Sequence, residues 1–319
     1  MRLCALVFLA LFAVGASAQD KPKAAAKPAA EDQPKDLVLA GDAKCTRCHD
    51  ENDTFPVLAI GRSKHGTRAD KRTPTCTSCH GASDTHANKT GSGARPKPDV
   101  MFSRTAATPP EARNQACLSC HQGGKRIHWA GSMHATRDVA CSSCHDIHTG
   151  EDRSRDKREQ AEVCFTCHKQ QRAEIRRQSR HPTLEGKVIC SDCHNPHGSP
   201  GEKSLVKDSI NDTCYTCHME KRGPFVRTHQ PVQENCATCH NPHGSVNDNL
   251  LKVRAPFLCQ SCHEPTSHRG GFASTTGGSN GSTSAGIGIT LARACMNCHT
   301  NIHGTNNPRD TSNERTFRR

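Results

Sequence analysis

The sequence predicts a fold of loops and short helices with little or no sheet, repeated along an elongated array. Three observations predict it. The chain of 319 residues is only 33% hydrophobic and 3% aromatic, which is too little apolar surface for a large core of its own. Twenty of its 21 cysteines recur in one short motif. The segments around that motif repeat, and stacked repeats contact mainly their neighbours.

The chain begins with a pattern typical of a secretory signal. Arg2 precedes an apolar run over 3–14, and Ala16-Ser17-Ala18 supplies the small residues of a cleavage site. We expect residues 1–18 to be removed and residues 19–40, which are rich in Ala, Pro and Lys, to form a flexible linker. No later stretch approaches the roughly 18 to 20 apolar residues of a membrane helix.

The recurrent motif is Cys-x-x-Cys-His, the pattern of c-type haem attachment. Its spacing lets two thiols reach the two vinyl groups of one porphyrin while the histidine lies beneath the iron. The thioether cysteines are Cys45, Cys48, Cys76, Cys79, Cys117, Cys120, Cys141, Cys144, Cys164, Cys167, Cys190, Cys193, Cys214, Cys217, Cys236, Cys239, Cys259, Cys262, Cys295 and Cys298. The proximal iron ligands are His49, His80, His121, His145, His168, His194, His218, His240, His263 and His299. Disulfides or zinc sites would not explain why a histidine follows every pair.

The remaining eleven histidines supply the sixth ligands. Two of them accompany each pair of motifs, which assigns as distal ligands His65, His86, His134, His148, His181, His197, His229, His243, His268 and His303. His197 lies too close to His194 to reach the opposite face of the same porphyrin, so ligation must link different segments. His128 is left over, as a surface or propionate-bonding residue or as a ligand alternating with His134.

The predicted cofactors are therefore ten covalently attached c-type haems, all bis-histidine. Methionine ligands would raise the potential, but Met101, Met133 and Met219 are better explained as packing residues. An iron with six ligands cannot bind a substrate, which argues against an enzyme. A multihaem reductase with one labile distal ligand is kept as an alternative.

The net charge of +12 is not a nucleic-acid signature, since no basic stripe is interleaved with aromatics and the chain is exported. Ferric haems with ionised propionates offset most of this charge. No nucleic-acid partner is expected.

The motifs divide five and five, which predicts an N-terminal pentahaem half over 41–178 and a C-terminal pentahaem half over 179–305. A Gly/Ser-rich loop over 270–288 interrupts the second half, and 306–319 form a polar tail. We expect the clearest helices between about 153 and 180 and at the turns that hold Cys259 and Cys295.

Three blocks carry a resemblance to a known family. They are Lys44-Cys-Thr-Arg-Cys-His49, Lys64-His65-Gly-Thr-Arg-Ala-Asp70 and Thr75-Cys-Thr-Ser-Cys-His80. With the ten motifs and the signal, they make the chain similar to the MtrA/DmsE/PioA family of periplasmic decahaem cytochromes over about 41–305.

That resemblance implies a conduit for electrons between the periplasm and the cell exterior, inserted in an outer-membrane β-barrel porin. It implies a periplasmic location associated with the outer membrane. It also implies periplasmic or inner-membrane donor or acceptor cytochromes and an extracellular multihaem cytochrome as partners. Metal reduction and Fe(II) oxidation are both compatible with it, since the partners set the direction. The alternative is a soluble periplasmic electron shuttle or reservoir.

Overall fold

The computed structural model describes residues 42–50, 52–53, 55–67, 72–263 and 295–306. All of them belong to one compact unit, and the predicted division into halves at residue 178 stays a prediction. The predicted signal over 1–18, the linker over 19–40, the loop over 270–288 and His268 lie outside the described residues. So does all of the predicted tail except residue 306.

The α-helices of the described ranges are short, and the longest has nine residues. In chain order they are α1 Ala43–Thr46, α2 Cys76–His80, α3 Asp84–Ala87, α4 Pro110–Leu118, α5 Gln160–Phe165, α6 Lys169–Glu174, α7 Cys190–Cys193, α8 Ile210–Tyr215, α9 Gln230–Glu234, α10 Phe257–Gln260 and α11 Cys295–Cys298. Helices α5, α6, α10 and α11 confirm the predicted helical positions. The longest helix, α4, was not predicted, although Pro110 in its first turn is a typical start signal.

Single 3-10 turns connect many of these helices. They are Val57–Arg62, Lys64–Gly66, Gly124–Arg126, Trp129–Gly131, Ala135–Arg137, Cys141–Ser143, Glu202–Ser204, Met219–Lys221, Cys236–Thr238 and Asp248–Leu250. The part of the chain that the structure describes contains isolated β-bridges and no extended strand. The expectation of loops, short helices and little or no sheet is confirmed.

The two most similar sequence repeats fold in the same way. After the motif at Cys190 the chain turns back and bridges His194 to Leu205, and after the motif at Cys236 it bridges His240 to Leu251. The turn of each copy contains two consecutive residues with positive φ, which are Lys203 and Ser204 in the first copy and Asn249 and Leu250 in the second. Sequence repetition is therefore structural repetition.

The protein interior is small and largely polar. Among the described residues, five apolar side chains are buried, against twelve polar or charged ones. Ala161, Phe165 and Ile175 form a cluster with Cys190 packed against it. An interior this small is too little to hold a chain of this length together, which agrees with the prediction that bound haems supply apolar surface. Across the described residues no helix is long and apolar enough to cross a membrane.

Candidate functional site

Each attachment motif is wound into one turn. In nine of the ten motifs, numbered 1 to 10 in chain order, the backbone N–H of the histidine donates to the carbonyl of the first cysteine at 2.9–3.1 Å. The remaining one, motif 2, forms all of helix α2. One turn therefore carries two thiols and an imidazole, the arrangement that thioether attachment and iron ligation require together. None of the described motif cysteines lies in a disulfide.

A second imidazole faces nine of the ten motif histidines. The ring centroids lie 5.8–6.3 Å apart in the pairs His49–His86, His65–His121, His80–His148, His134–His168, His145–His197, His181–His218, His194–His243, His229–His263 and His240–His303. Every pair joins a predicted proximal ligand to a predicted distal one. His268, the distal ligand that remains for His299 in the sequence assignment, lies outside the described ranges.

The separation of the rings fits a metal ion between them. Two imidazoles bound on opposite sides of one ion, with metal–nitrogen bonds of about 2.0 Å, place their centroids about 6.3 Å apart. No cluster of three or more metal-binding side chains occurs among the residues that the structure describes. Two protein ligands suffice only if the bound group supplies the other four, as a porphyrin does.

The pairs follow a regular rule along the chain. A histidine located after an odd-numbered motif faces the next odd-numbered motif, as His134 after motif 3 faces His168 of motif 5. A histidine after an even-numbered motif faces the previous even-numbered motif, as His243 after motif 8 faces His194 of motif 6. At the N-terminal end of the series, where no earlier even-numbered motif exists, His86 after motif 2 faces His49 of motif 1. Every repeat is thus linked to both of its neighbours.

Consecutive motifs are also neighbours in space. The first cysteines of motifs 1 and 2, 3 and 4, 5 and 6, 7 and 8, and 9 and 10 lie close enough for their side chains to interact. Cysteines of motifs 2 and 3, 4 and 5, 6 and 7, and 8 and 9 lie within electrostatic range of each other. Each motif therefore lies close to the next one along the chain, from motif 1 to motif 10.

Four buried polar residues join the motifs in pairs, and we call them the clamp residues: Asp42, Asn114, Gln160 and Asn211. Each lies three or four residues before an odd-numbered motif, and its side-chain oxygen accepts a backbone N–H at the start of the following even-numbered motif, at 2.6–3.0 Å. All four are at most 8% exposed. Sequence reasoning missed them, although an amide or carboxylate recurs at this position.

The outer nitrogens of eight imidazoles have close partners that hold the rings. Six of them contact backbone carbonyl oxygens at 2.7–3.0 Å, those of His80, His86, His134, His181, His194 and His240. His49 and His145 contact carboxylates instead, Asp53 and Asp152. A partner on the outer nitrogen fixes the ring and leaves the other nitrogen for a metal.

Burial keeps the ring of His197 in the form that binds iron. It lowers the pKa of His197 to about 4, with the charges of His145 and Arg126 acting in the same direction. Burial acts the opposite way on Asp152, but hydrogen bonds from His145 and Ser154 bring the pKa of that carboxyl below its usual value. A neutral imidazole and an ionised carboxylate are the states that ligation requires.

The spare histidine takes no part in the ring pairs. His128 is exposed and precedes the turn Trp129–Gly131, while His134 faces His168. Met133 and Met219 are more than half exposed. Trp129 contacts the ring of His197.

An imidazole pair supplies only two ligands, and two thiols share one turn of chain with the motif histidine of each pair. The chain is therefore a multihaem c-type cytochrome, an electron-transfer protein whose haems are held covalently. Comparison with known proteins identifies the same class. It is 44% identical over 274 residues to the multiheme cytochrome MtrA of Shewanella baltica, with 84% of this chain and 79% of that protein covered. The chain belongs to the MtrA family of multihaem cytochromes.

Two family descriptions match parts of the chain. The doubled CXXCH motif matches residues 181–223 and 229–268, and the cytochrome c-type protein NrfB-like family matches residues 76–157. The cytochrome c-type protein NrfB of Haemophilus influenzae is 31% identical over 147 residues, which are 40% of this chain and 64% of that protein. These matches confirm the predicted family and cofactor class.

Proposed function

We propose that the chain binds ten bis-histidine haems in consecutive order and conducts electrons along them between the periplasm and the cell exterior, through an outer-membrane porin. The observation that carries the proposal is the proximity of cysteines in successive motifs, from motif 1 to motif 10. Bound haem supplies one-electron transfer at each site. The chain supplies the order of the sites and their spacing.

The residues assigned to the haems are the twenty motif cysteines and twenty histidines of the sequence analysis. Nine ring pairs support this assignment directly. His268 and the motif of His299 are the two that remain, and pairing them at the C-terminal end of the series mirrors the pairing of His86 with motif 1 at the N-terminal end. With every iron bound by two imidazoles, the protein carries electrons and is not an enzyme.

The porin, the location and the remaining partners follow from the resemblance to the MtrA family. Ten haems of roughly 10 Å in a row exceed the about 40–45 Å of a bilayer with its headgroups. Polar chain cannot face lipid, so a protein sheath is required for any crossing. The sources and acceptors of the electrons are then periplasmic or inner-membrane cytochromes on one side and an extracellular multihaem cytochrome on the other.

A second candidate is a soluble periplasmic shuttle that delivers electrons to a partner. The similarity to NrfB-like cytochromes over 76–157 favours it. The two candidates differ in whether electrons cross a membrane. Stable co-purification with an integral outer-membrane protein is expected of the conduit alone.

Reconstitution in liposomes tests the proposal. The holoprotein and its porin are inserted in vesicles that contain a trapped redox dye, and a reductant that cannot cross the membrane is added outside. We expect the dye to be reduced only when both proteins are present. Reduction no faster than with the porin alone would contradict the conduit and favour the shuttle.

A further inference from the structure

Two of the motif histidines differ from the others in the acceptor on their outer nitrogen. The Nδ1 of His49 lies 2.6 Å from Oδ2 of Asp53, and the Nδ1 of His145 lies 2.6 Å from Oδ2 of Asp152. Six other imidazoles have neutral carbonyl oxygens in that place. The haems of motifs 1 and 4 thus have a negative charge bonded to their proximal ligand.

The carboxylate of Asp152 is held in position for this contact. Its other oxygen, Oδ1, accepts the backbone N–H of Ser154 at 3.0 Å and the Ser154 hydroxyl at 2.7 Å. The Ser154 hydroxyl also lies 2.9 Å from Nδ1 of His145. The Asp152 side chain is 19% exposed and that of Asp53 is 27% exposed. Because both carboxylates are mostly shielded from water, their contacts with the two imidazoles are only partly screened.

The other carboxylates near ligand imidazoles are placed less favourably. Glu174 lies 3.5 Å from Nδ1 of His243, and Glu220 lies 3.8 Å from Nδ1 of His218 with a side chain that is 60% exposed. Both distances exceed those of a strong charge-assisted hydrogen bond. Of these four carboxylates, Asp53 and Asp152 therefore make the two short contacts.

A carboxylate on Nδ1–H makes the imidazole a stronger electron donor to its metal. Such a ligand stabilises ferric iron over ferrous iron and lowers the reduction potential. Reduction adds one electron to the iron, while the carboxylate stays ionised and no proton moves. A carbonyl partner has the same geometry with a smaller effect, because it carries no full charge.

We propose that Asp53 and Asp152 set the potentials of the haems at motifs 1 and 4 and make them the last of the array to be reduced. The proposal rests on the proposed bis-histidine ligation. Asp53 and Asp152 act through their histidines as positioning residues. Motif 1 is the first of the consecutive series, so one low-potential site lies at its end and the other lies three steps inside it.

The test is a potentiometric titration of the holoprotein, followed by the absorbance of reduced haem. Asp53→Asn and Asp152→Asn each remove a charge but keep an oxygen that can accept from Nδ1. Each should shift one haem upward by about tenfold in its reduction equilibrium, which is 59 mV for one electron. In the wild type, the wave at the most negative potential should have the absorbance change of two haems. That absorbance change should fall to one haem in each single variant and to none in the double variant.

The controls are Asp50→Asn and Asp146→Asn. Asp50 and Asp146 directly follow the same two histidines and are exposed, so their substitution makes the same charge change without touching Nδ1. They should leave the wave at the most negative potential in place. Ser154→Ala, which loosens Asp152 and keeps its charge, should shift one haem in the same direction by a smaller amount.

Haem content and spin state separate the two ways of failing. If the double variant keeps ten low-spin haems and titrates like the wild type, Asp53 and Asp152 do not set the potentials and the inference is overturned. If controls and variants shift the curve equally, charge alone is responsible and the inference is again overturned. If the wild type itself contains fewer haems or high-spin iron, the proposed ligation fails instead.

Discussion

At the scale of single residues, the function depends on which imidazole faces which motif. The proximal half of each site could be predicted from spacing alone, because the two cysteines and the histidine share one turn. The pairing could not, because each distal ring comes from another segment of the chain. The structure places His65 opposite His121 and His148 opposite His80, and neither pair is marked by any local sequence signal.

One prediction at this scale concerns His128 and His134, the two histidines on either side of Trp129. His134→Ala removes the ring that faces His168, so it should open one iron and convert about one haem in ten to the high-spin state. His128→Ala changes an exposed residue outside the ring pairs and should leave the low-spin spectrum intact. Electron paramagnetic resonance of the two oxidised variants checks this, and the reverse result would show that the two histidines are wrongly assigned.

At the scale of elements, the clamp residues explain how a chain with so small a core can hold its motifs in pairs. Asn114 in helix α4 accepts the N–H of Cys141 and donates to the carbonyl of Val139. The side chain is buried, so its loss leaves polar backbone without a partner. Its position in a helix that sequence reasoning did not predict explains why it was missed.

Asn114→Ala should therefore destabilise the holoprotein by about 1–3 kcal/mol. The matched control is Gln115→Ala in the same helix, where the side chain is exposed and the cost should be within about 0.5 kcal/mol. Guanidinium unfolding of both variants measures the difference. Equal midpoints for the two variants would show that the clamp does not stabilise the pair of motifs.

Close approach between repeats gives a second prediction for the elements. Gly198 has a φ of +98°, and a Cβ there would lie 2.5 Å from the backbone oxygen of His128. Gly198→Ala should cost more than about 1 kcal/mol, since both the conformation and the contact exclude a side chain. Gly131→Ala, where nothing lies within 4 Å, is the control. Thermal unfolding should separate the two variants, and a shared midpoint would contradict the packing described.

At the scale of the whole molecule, the fold class could be predicted because motif count and low hydrophobicity are properties of the entire sequence. The order of the sites in space could not be read from the motifs, since repeats of this length can stack in more than one way. The proximity of cysteines in successive motifs indicates a consecutive series. In such a series every electron passes every haem, so one altered site should affect the entire transfer.

His181→Met tests this dependence. Methionine ligation raises the potential of a haem, so the haem of motif 7 should retain electrons and slow the reduction of dye trapped in liposomes. His128→Met introduces the same residue outside the ring pairs and should leave the rate unchanged. Equal rates for wild type and His181→Met, with haem content intact, would show that electrons bypass motif 7.

The most direct test of the account is the number and ligation of the haems on the mature chain. Intact mass spectrometry counts covalent haems, and electron paramagnetic resonance of the oxidised protein reports their spin state. We expect ten haems per chain, all of them low-spin, because nine histidine pairs occur in the described residues and the proposed pairing adds a tenth. Eight or fewer haems on fully matured protein, or a substantial high-spin signal, would contradict the closed, consecutive array on which the proposed conduit rests.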